Sequence, residues 1–201
     1  MAATRAIHIS GYDRQAEDFY ATPEWVTRCL LRHVELRGPV WEPCCGDGAI
    51  ARILAAAGHA VTATDLADYG YGQAGVDFLA CRTFPVGCRA RVTNPPYGDG
   101  GPVRKGRNRS LAMLGFVRHA LALTAAAHGQ MALLVRFQWI AGKRAAALIS
   151  SGPLDTVIAL TRRIRWFDRG ELTTSGQHHH AWIVFDHARD PQRPPRLLFA
   201  Q

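Results

Sequence analysis

Val40-Trp41-Glu42-Pro43-Cys44-Cys45-Gly46-Asp47-Gly48-Ala49-Ile50 is the stretch on which the fold turns. Three residues of strand character, Val40 to Glu42, run into the loop Pro43 to Gly48. A helix follows through Ile50, Ile53 and Leu54 to Gly58. Glycines let the backbone of such a turn approach a ligand, and the next helix offers it a positive end. The alternation continues downstream. Ala60 to Thr64 is a strand halted by Asp65, Asp68 to Gly75 is loop, and Ala90 to Thr93 is a strand that ends at Asn94-Pro95-Pro96-Tyr97. Leu111 to Ala127 is helical, Met131 to Val135 a strand and Arg144 to Ile149 helical again. Val157 to Leu160, Arg163 to Trp166 and Ala181 to Phe185 read as later strands, and the tail from Pro191 is loosely determined. Upstream, Thr22-Pro23-Glu24 reads as N-cap, first-turn proline and first-turn acid of a helix through Val26, Leu30, Leu31 and Val34, ended by Gly38-Pro39. Strands alternating with helices predict an α/β domain with a mainly parallel sheet.

The length of 201 residues corresponds to one domain, with 48% hydrophobic and 20% charged residues, which excludes a disordered or collagen-like chain. No internal repeat or linker divides it. The apolar tract Ala120 to Ala127 is too short to cross a bilayer, and Met1 to Tyr20 lacks the apolar core of a signal peptide, so the expected location is cytoplasmic. Cys29, Cys44, Cys45, Cys81 and Cys88 have no zinc-site spacing and read as reduced, mostly buried thiols. The net charge of +8 rests almost wholly on arginine, since Lys105 and Lys143 are the only lysines. Guanidinium binds phosphate through a planar fork, so the balance is compatible with a polyanionic partner.

In an open parallel sheet, ligands sit outside the carboxyl ends of the strands. The first strand delivers the glycine turn there. The second delivers Asp65, seventeen residues after Gly48, an acid able to accept hydrogen bonds from a ribose diol. The third delivers Asn94 to Tyr97, whose chemistry is legible. An aromatic amino group is a poor nucleophile because its lone pair is delocalised into the ring. Two acceptors aimed at its N–H bonds, the Asn94 side-chain oxygen and the Pro95 carbonyl, would draw the nitrogen toward tetrahedral geometry. The prolines hold the loop rigid, and Tyr97 offers a ring face to a flipped base.

These residues, in this order, resemble the S-adenosylmethionine-dependent methyltransferases that act on exocyclic amino groups, and small phage-type DNA adenine methyltransferases in particular. The resemblance runs from about Phe19 to Asp186. Tyr20-Ala21-Thr22-Pro23 resembles the family's N-terminal cofactor segment. Glu42-Pro43-Cys44-Cys45-Gly46-Asp47-Gly48 resembles its first cofactor motif, with cysteines where small residues are usual. Asp65, followed by Leu66, matches the ribose-binding acid, and Asp77-Phe78 matches the pair flanking the cofactor adenine. Asn94, Pro95, Pro96 and Tyr97 match the catalytic loop. The resemblance implies a Rossmann-like, seven-stranded, mainly parallel sheet with helices on both faces, S-adenosylmethionine as cofactor, and methyl transfer to adenine in DNA. It also implies that Asn94 polarises the amine, Tyr97 stacks the base, Phe78 packs on the cofactor adenine and no histidine serves as a base. The same motif serves RNA adenine and protein glutamine methyltransferases, and a degenerate S-adenosylmethionine-binding module is the reading of another class.

Arg104, Lys105, Arg107 and Arg109 follow Tyr97 directly and are the expected phosphate contacts. Arg162, Arg163 and Arg165 flank Trp166-Phe167, a mixture of charge and aromatics also found in single-stranded nucleic-acid binders, but the alternation of charged and apolar residues reads as an ordinary half-buried strand, and His178-His179-His180 as an exposed polar segment that binds no metal. No insertion long enough for a separate target-recognition domain occurs, so residues 1–201 are expected to form one catalytic domain of short or relaxed specificity.

Overall fold

A computed structural model describes residues 20–96, 109–166, 176 and 178–201 of the chain. Seven strands form a single sheet: β1 (Val40–Glu42), β2 (Val61–Ala63), β3 (Ala90–Thr93), β4 (Gln130–Arg136), β5 (Leu154–Leu160), β6 (His180–Asp186) and β7 (Arg196–Ala200). Their order is β2-β1-β3-β4-β6-β5-β7. β6 pairs antiparallel with both β4 and β5, and every other pairing is parallel. The chain steps from β1 to β2 on one side and returns to β3 on the other, so a topological switch point opens between β1 and β3. That is where a ligand crevice belongs in such a sheet.

Side-chain alternation feeds two apolar layers, one on each face. In β4, Ala132 and Leu134 join Val26, Leu30, Ile50 and Leu54 on one face. Met131, Leu133 and Val135 join Met113, Phe116, Val117 and Ala120 on the other. Helices α1 (Glu24–His33) and α2 (Ala49–Ala56) cover the first face; α3 (Arg109–Ala126) and α5 (Lys143–Ser151) cover the second. The buried residues of α3 recur at helical spacing, 113, 114, 116, 117, 120, 123 and 124. Strands covered on both sides are almost wholly apolar, as β4 and β6 are. The Trp182 indole crosses the first layer and donates to the Val26 carbonyl at 2.9 Å.

Several local expectations need correction. Thr22 does not cap α1: Pro23 occupies the cap position with no side-chain bond, and the Thr22 hydroxyl is engaged elsewhere. α1 ends at His33, because Val34 is already extended, well before Gly38-Pro39. A short helix, α4 (Phe137–Ile140), follows β4 directly. No strand forms over Arg163–Trp166; Ile164 alone is buried there. The tail is ordered into β7, which lies parallel beside β5. His180 is not exposed but begins β6, 2% accessible. Among the described residues, no helix is long and apolar enough to cross a membrane, and no cluster of His, Cys, Asp or Glu could hold a metal ion.

Candidate active site

The glycine turn is built by backbone conformation that only glycine adopts at low cost. Gly46 and Gly48 have φ of +52° and +83°, and the Gly48 amide closes the turn onto the Cys45 carbonyl at 2.8 Å. A Cβ at Gly48 would lie 2.4–2.6 Å from ring atoms of Tyr71, whose ring packs directly on this turn and under the Arg52 guanidinium. Asp65 then ties the ends of β1 and β2 together. Its Oδ2 accepts from the Gly46 amide at 2.8 Å and its Oδ1 from the Ala67 amide at 3.1 Å. The carboxylate expected to face a ribose is thus also the latch of the glycine turn.

Two buried acceptors stand at this edge without a donor among the described residues: Glu42 Oε2 at the end of β1, and Asn94 Oδ1 just past β3. Glu42 is 1% accessible. Burial pushes its carboxyl well above the usual range, Asp65 and Asp47 push the same way, and the Ala51 N–H opposes them. The Asn94 amide is set by its neighbours: Nδ2 donates to Thr22 Oγ1 at 3.2 Å and reaches the Tyr20 carbonyl at 3.5 Å. Tyr20 O can only accept, so the amide nitrogen faces it and the oxygen points elsewhere. Leaving a buried acceptor unpaired costs about 1–3 kcal/mol. Two of them on adjacent strands mark a place for donors that the chain does not itself supply.

Tyr20, Thr22, Asn94, Pro95 and Pro96 are therefore brought together beside Glu42, Pro43, Cys44, Gly46, Gly48 and Asp65. Burial pushes the Cys44 thiol up and the Cys45 thiol to about 12, so neither is a nucleophile at neutral pH. Tyr97, Arg104, Lys105 and Arg107 lie outside the described residues. So does the side chain of Arg109, which opens α3.

Around Asp77 the structure divides the expected pair. Asp77 Oδ1 accepts from the Leu79 amide at 2.9 Å and starts a 3-10 turn, Phe78–Ala80. Phe78, expected on the cofactor adenine, points into the core instead. It is 4% accessible, with its ring centroid 4.5 Å from Phe116 and 5.0 Å from His119. Two apolar side chains remain open on this edge, Leu66 at 56% and Leu79 at 57% accessibility. Their segments are held together by the Val76 amide donating to the Asp65 carbonyl at 2.9 Å and the Gly75 amide to the Leu66 carbonyl at 3.3 Å. Sequence reading singled out Leu66 and missed Leu79, although its position after Asp77-Phe78 was a usable signal. It also missed Tyr71, which no local pattern marks.

It missed Arg91 as well. This β3 residue is fully buried beneath the site, with its guanidinium 4.3 Å from the Phe84 ring centre, 4.9 Å from Trp41 and 5.1 Å from Phe78. Nη1 donates to the Ala120 carbonyl at 2.9 Å and Thr124 Oγ1 at 3.2 Å. Burial pushes the group down to about 9, which leaves it protonated at neutral pH.

No family model and no curated protein matches this sequence. Solved structures do match the architecture. One is a protein assigned as a class I S-adenosylmethionine-dependent methyltransferase from Listeria monocytogenes, with a TM-score of 0.56 and 13% identity over 88% of this chain and 62% of that one. A second is the modification subunit of an assigned type I restriction enzyme from Vibrio vulnificus YJ016, with a TM-score of 0.55 and 14% identity over 89% of this chain. A third is the M protein of the type I restriction enzyme EcoKI, with a TM-score of 0.54 and 14% identity over 88%. The fold is that of the class I methyltransferases. The chain spans 45% of the length of each restriction-enzyme subunit. In this methyltransferase fold the glycine turn, Asp65 and Asn94 share one edge of the sheet, each at the carboxyl end of a different strand.

Proposed function

We propose that this chain is an S-adenosylmethionine-dependent methyltransferase acting on the exocyclic amino group of adenine in DNA. The observation that carries the reading is the pair of buried oxygens without a donor among the described residues, Glu42 Oε2 and Asn94 Oδ1, beside the glycine turn latched by Asp65. The order of the motifs supports it, resembling small phage-type DNA adenine methyltransferases, as do the two restriction-enzyme modification subunits among proteins of like fold.

The residues present fit the cofactor. Gly46 and Gly48 keep side chains out of the turn, Pro43 and Cys44 form its near wall, and Asp65 retains lone pairs for ribose hydroxyls. Leu66 and Leu79 offer apolar surface to an adenine ring, with Asp77 between them in the chain. Glu42 supplies an acceptor at the opposite end, and the Tyr20 to Pro23 segment flanks Asn94. When bound, S-adenosylmethionine supplies an electrophilic methyl group on a sulfonium.

Asn94 does the acceptor's share of the work. Its Oδ1 and the Pro95 carbonyl take the two N–H bonds of the target amine and localise its lone pair, while Thr22 and Tyr20 fix the amide so that the oxygen faces the amine. Asn94 and Pro95 would thereby present the amine nitrogen in line with the methyl group that a cofactor held by Gly46, Gly48 and Asp65 would supply, and the surplus amine proton would pass to water. No strong base is needed, and rate depends on near-attack placement.

The test is transfer of labelled methyl from S-adenosylmethionine to DNA, RNA and total protein, scored in parallel. Label in DNA as N6-methyladenine is the expected result. Label in protein alone would reject the reading, and a thermal shift with S-adenosylmethionine without transfer to any of the three would favour a degenerate module.

A further inference from the structure

Charge is divided along this sheet. Before residue 100 the sequence carries nine Lys and Arg against eleven Asp and Glu; from residue 100 onward it carries fifteen against five. Between Gly100 and Leu154 there are eight Lys and Arg and no acid at all. Strand order turns this division into geometry, because β2 and β1 form one flank of the switch point while β4, β6 and β5 form the other. Glu42, Asp47, Asp65 and Asp77 cluster on the first flank. On the second, Asp155 and Asp186 lie at the far edge of the sheet and are paired, Asp186 with Arg37 at 2.6 Å and Asp155 with Arg196 at 3.5 Å. Among the described residues, β4, β5 and the loops that leave them carry no Asp or Glu where the two strands end, and Glu24, next to Trp25 in α1, is paired with Arg28.

The loop that leaves β5 at this edge is Thr161-Arg162-Arg163-Ile164-Arg165-Trp166. Ile164 is buried and pins it, while Arg162, Arg163 and Arg165 are exposed. Two of the three are braced. The Arg162 guanidinium sits 5.1 Å from the Trp25 ring centre, and Arg163 Nε donates to His179 Nε2 at 3.2 Å. Contacts link the loop to the reacting end of the site. The Trp166 ring lies 5.3 Å from His180 and 5.6 Å from Tyr20, whose carbonyl meets Asn94 Nδ2.

We propose that Arg162, Arg163 and Arg165 form a phosphate-binding rim that takes the sugar–phosphate backbone of the strand presenting its base to Asn94. The proposal rests on the nucleic-acid reading above and adds to it the surface that holds the strand. Three exposed guanidiniums on a pinned loop offer planar forks to successive phosphates at little ordering cost. The acidic flank repels the same strand, which orients it across β4 and β5 and away from the cofactor side.

Salt-dependent binding tests this. Duplex and single-stranded DNA and RNA are titrated against the wild type, R162Q/R163Q/R165Q, R165Q alone and R193Q over about 50–250 mM NaCl. Each phosphate contact removed lowers the slope of log K against log salt by about 0.9 on duplex. The triple variant should therefore lose about 2–3 from the slope, R165Q about 1 and R193Q nothing, with melting temperatures unchanged. Should the triple variant melt early, R165Q alone decides. A wild-type slope in R165Q and in a folded triple variant overturns the rim while leaving methyl transfer to DNA intact. A wild type that binds and methylates neither DNA nor RNA defeats the nucleic-acid reading and the rim with it.

Discussion

The Asn94 side-chain amide donates to the Thr22 hydroxyl at 3.2 Å, joining the loop after β3 to the residue two places before α1. This bond explains why Thr22 fails as a helix cap: its hydroxyl is committed to a tertiary partner. It also makes Thr22 an orienting residue for the proposed reaction. Thr22→Val keeps the shape and removes the acceptor, and should lower kcat about tenfold, the worth of one hydrogen bond of roughly 1.4 kcal/mol. Thr22→Ser should retain most of the rate. Equal turnover in the Val variant would mean that Asn94 needs no such brace.

Asn94→Ala removes the oxygen argued to polarise the amine. Loss of one preorganised polar contact of this kind costs about 10²–10³ in kcat, so transfer should be nearly abolished. Affinity for S-adenosylmethionine, measured by calorimetry, should stay close to wild type. Substantial residual transfer would place the activating group elsewhere.

Gly48→Ala meets two obstacles, a φ of +83° and the Tyr71 ring. The single variant should be destabilised by about 1–3 kcal/mol and bind cofactor weakly. Adding Tyr71→Ala removes the clash and not the strained φ, so the double variant should recover part of the loss. A double-mutant cycle from chemical denaturation reads the coupling. Strict additivity would deny that Tyr71 rests on the turn.

His180 is held down to about 4, first by burial and then by Arg136 and His178. Above its ordinary value of 6.5 it is neutral whether folded or not and adds no pH dependence. As pH falls from 6.5 the unfolded chain takes up the proton first, so stability is lost until about pH 4, where the folded histidine protonates too. The gap corresponds to about 3 kcal/mol. Glu42, with its carboxyl raised, works in the opposite sense, because the folded form is protonated first as pH falls. Comparing wild type with His180→Gln by urea unfolding between about pH 7 and 4 isolates the histidine. A constant difference between the two would refute the assignment.

Arg91 is a buried cation with aromatic faces around it and, among the described residues, no carboxylate partner. Replacing a buried charge with an apolar side chain of similar volume is often neutral or stabilising. The Ala120 carbonyl keeps the Thr124 hydroxyl as a donor at 2.6 Å when the guanidinium goes. Arg91→Met should therefore leave the melting temperature unchanged or raised, whereas Arg91→Ala should lower it through the cavity it opens. A large drop in the Met variant would mark the charge itself as structural.

Much of this molecule is legible from its residues, for a physical reason. β1, β2 and β3 each stop at a residue that cannot continue a strand without cost, and those residues, Pro43, Asp65 and Pro95, are where the chemistry gathers. Long-range contacts erase the signal elsewhere. Arg163 to Trp166 alternates like a strand, yet that alternation serves a loop hung on Ile164, because the Thr161 amide already spends its bond on the Ala200 carbonyl at 2.9 Å. Phe78 looks like a ligand-facing aromatic, and the buried guanidinium of Arg91 draws its ring inward. β7 follows a proline-rich run and leaves Leu197 and Phe199 exposed, so neither its neighbours nor its own pattern announces a pairing with β5.

The direction of β7 has a practical side. Running parallel to β5, it delivers Ala200 next to Thr161, at the end of the sheet where Arg162 and Arg163 follow β5. A purification tag fused after Gln201 would start beside the proposed arginine rim, and a polyhistidine tail there would compete with incoming polymer. Fusions meant to leave the entrance clear belong in the loop between β6 and β7, at the remote end of the sheet.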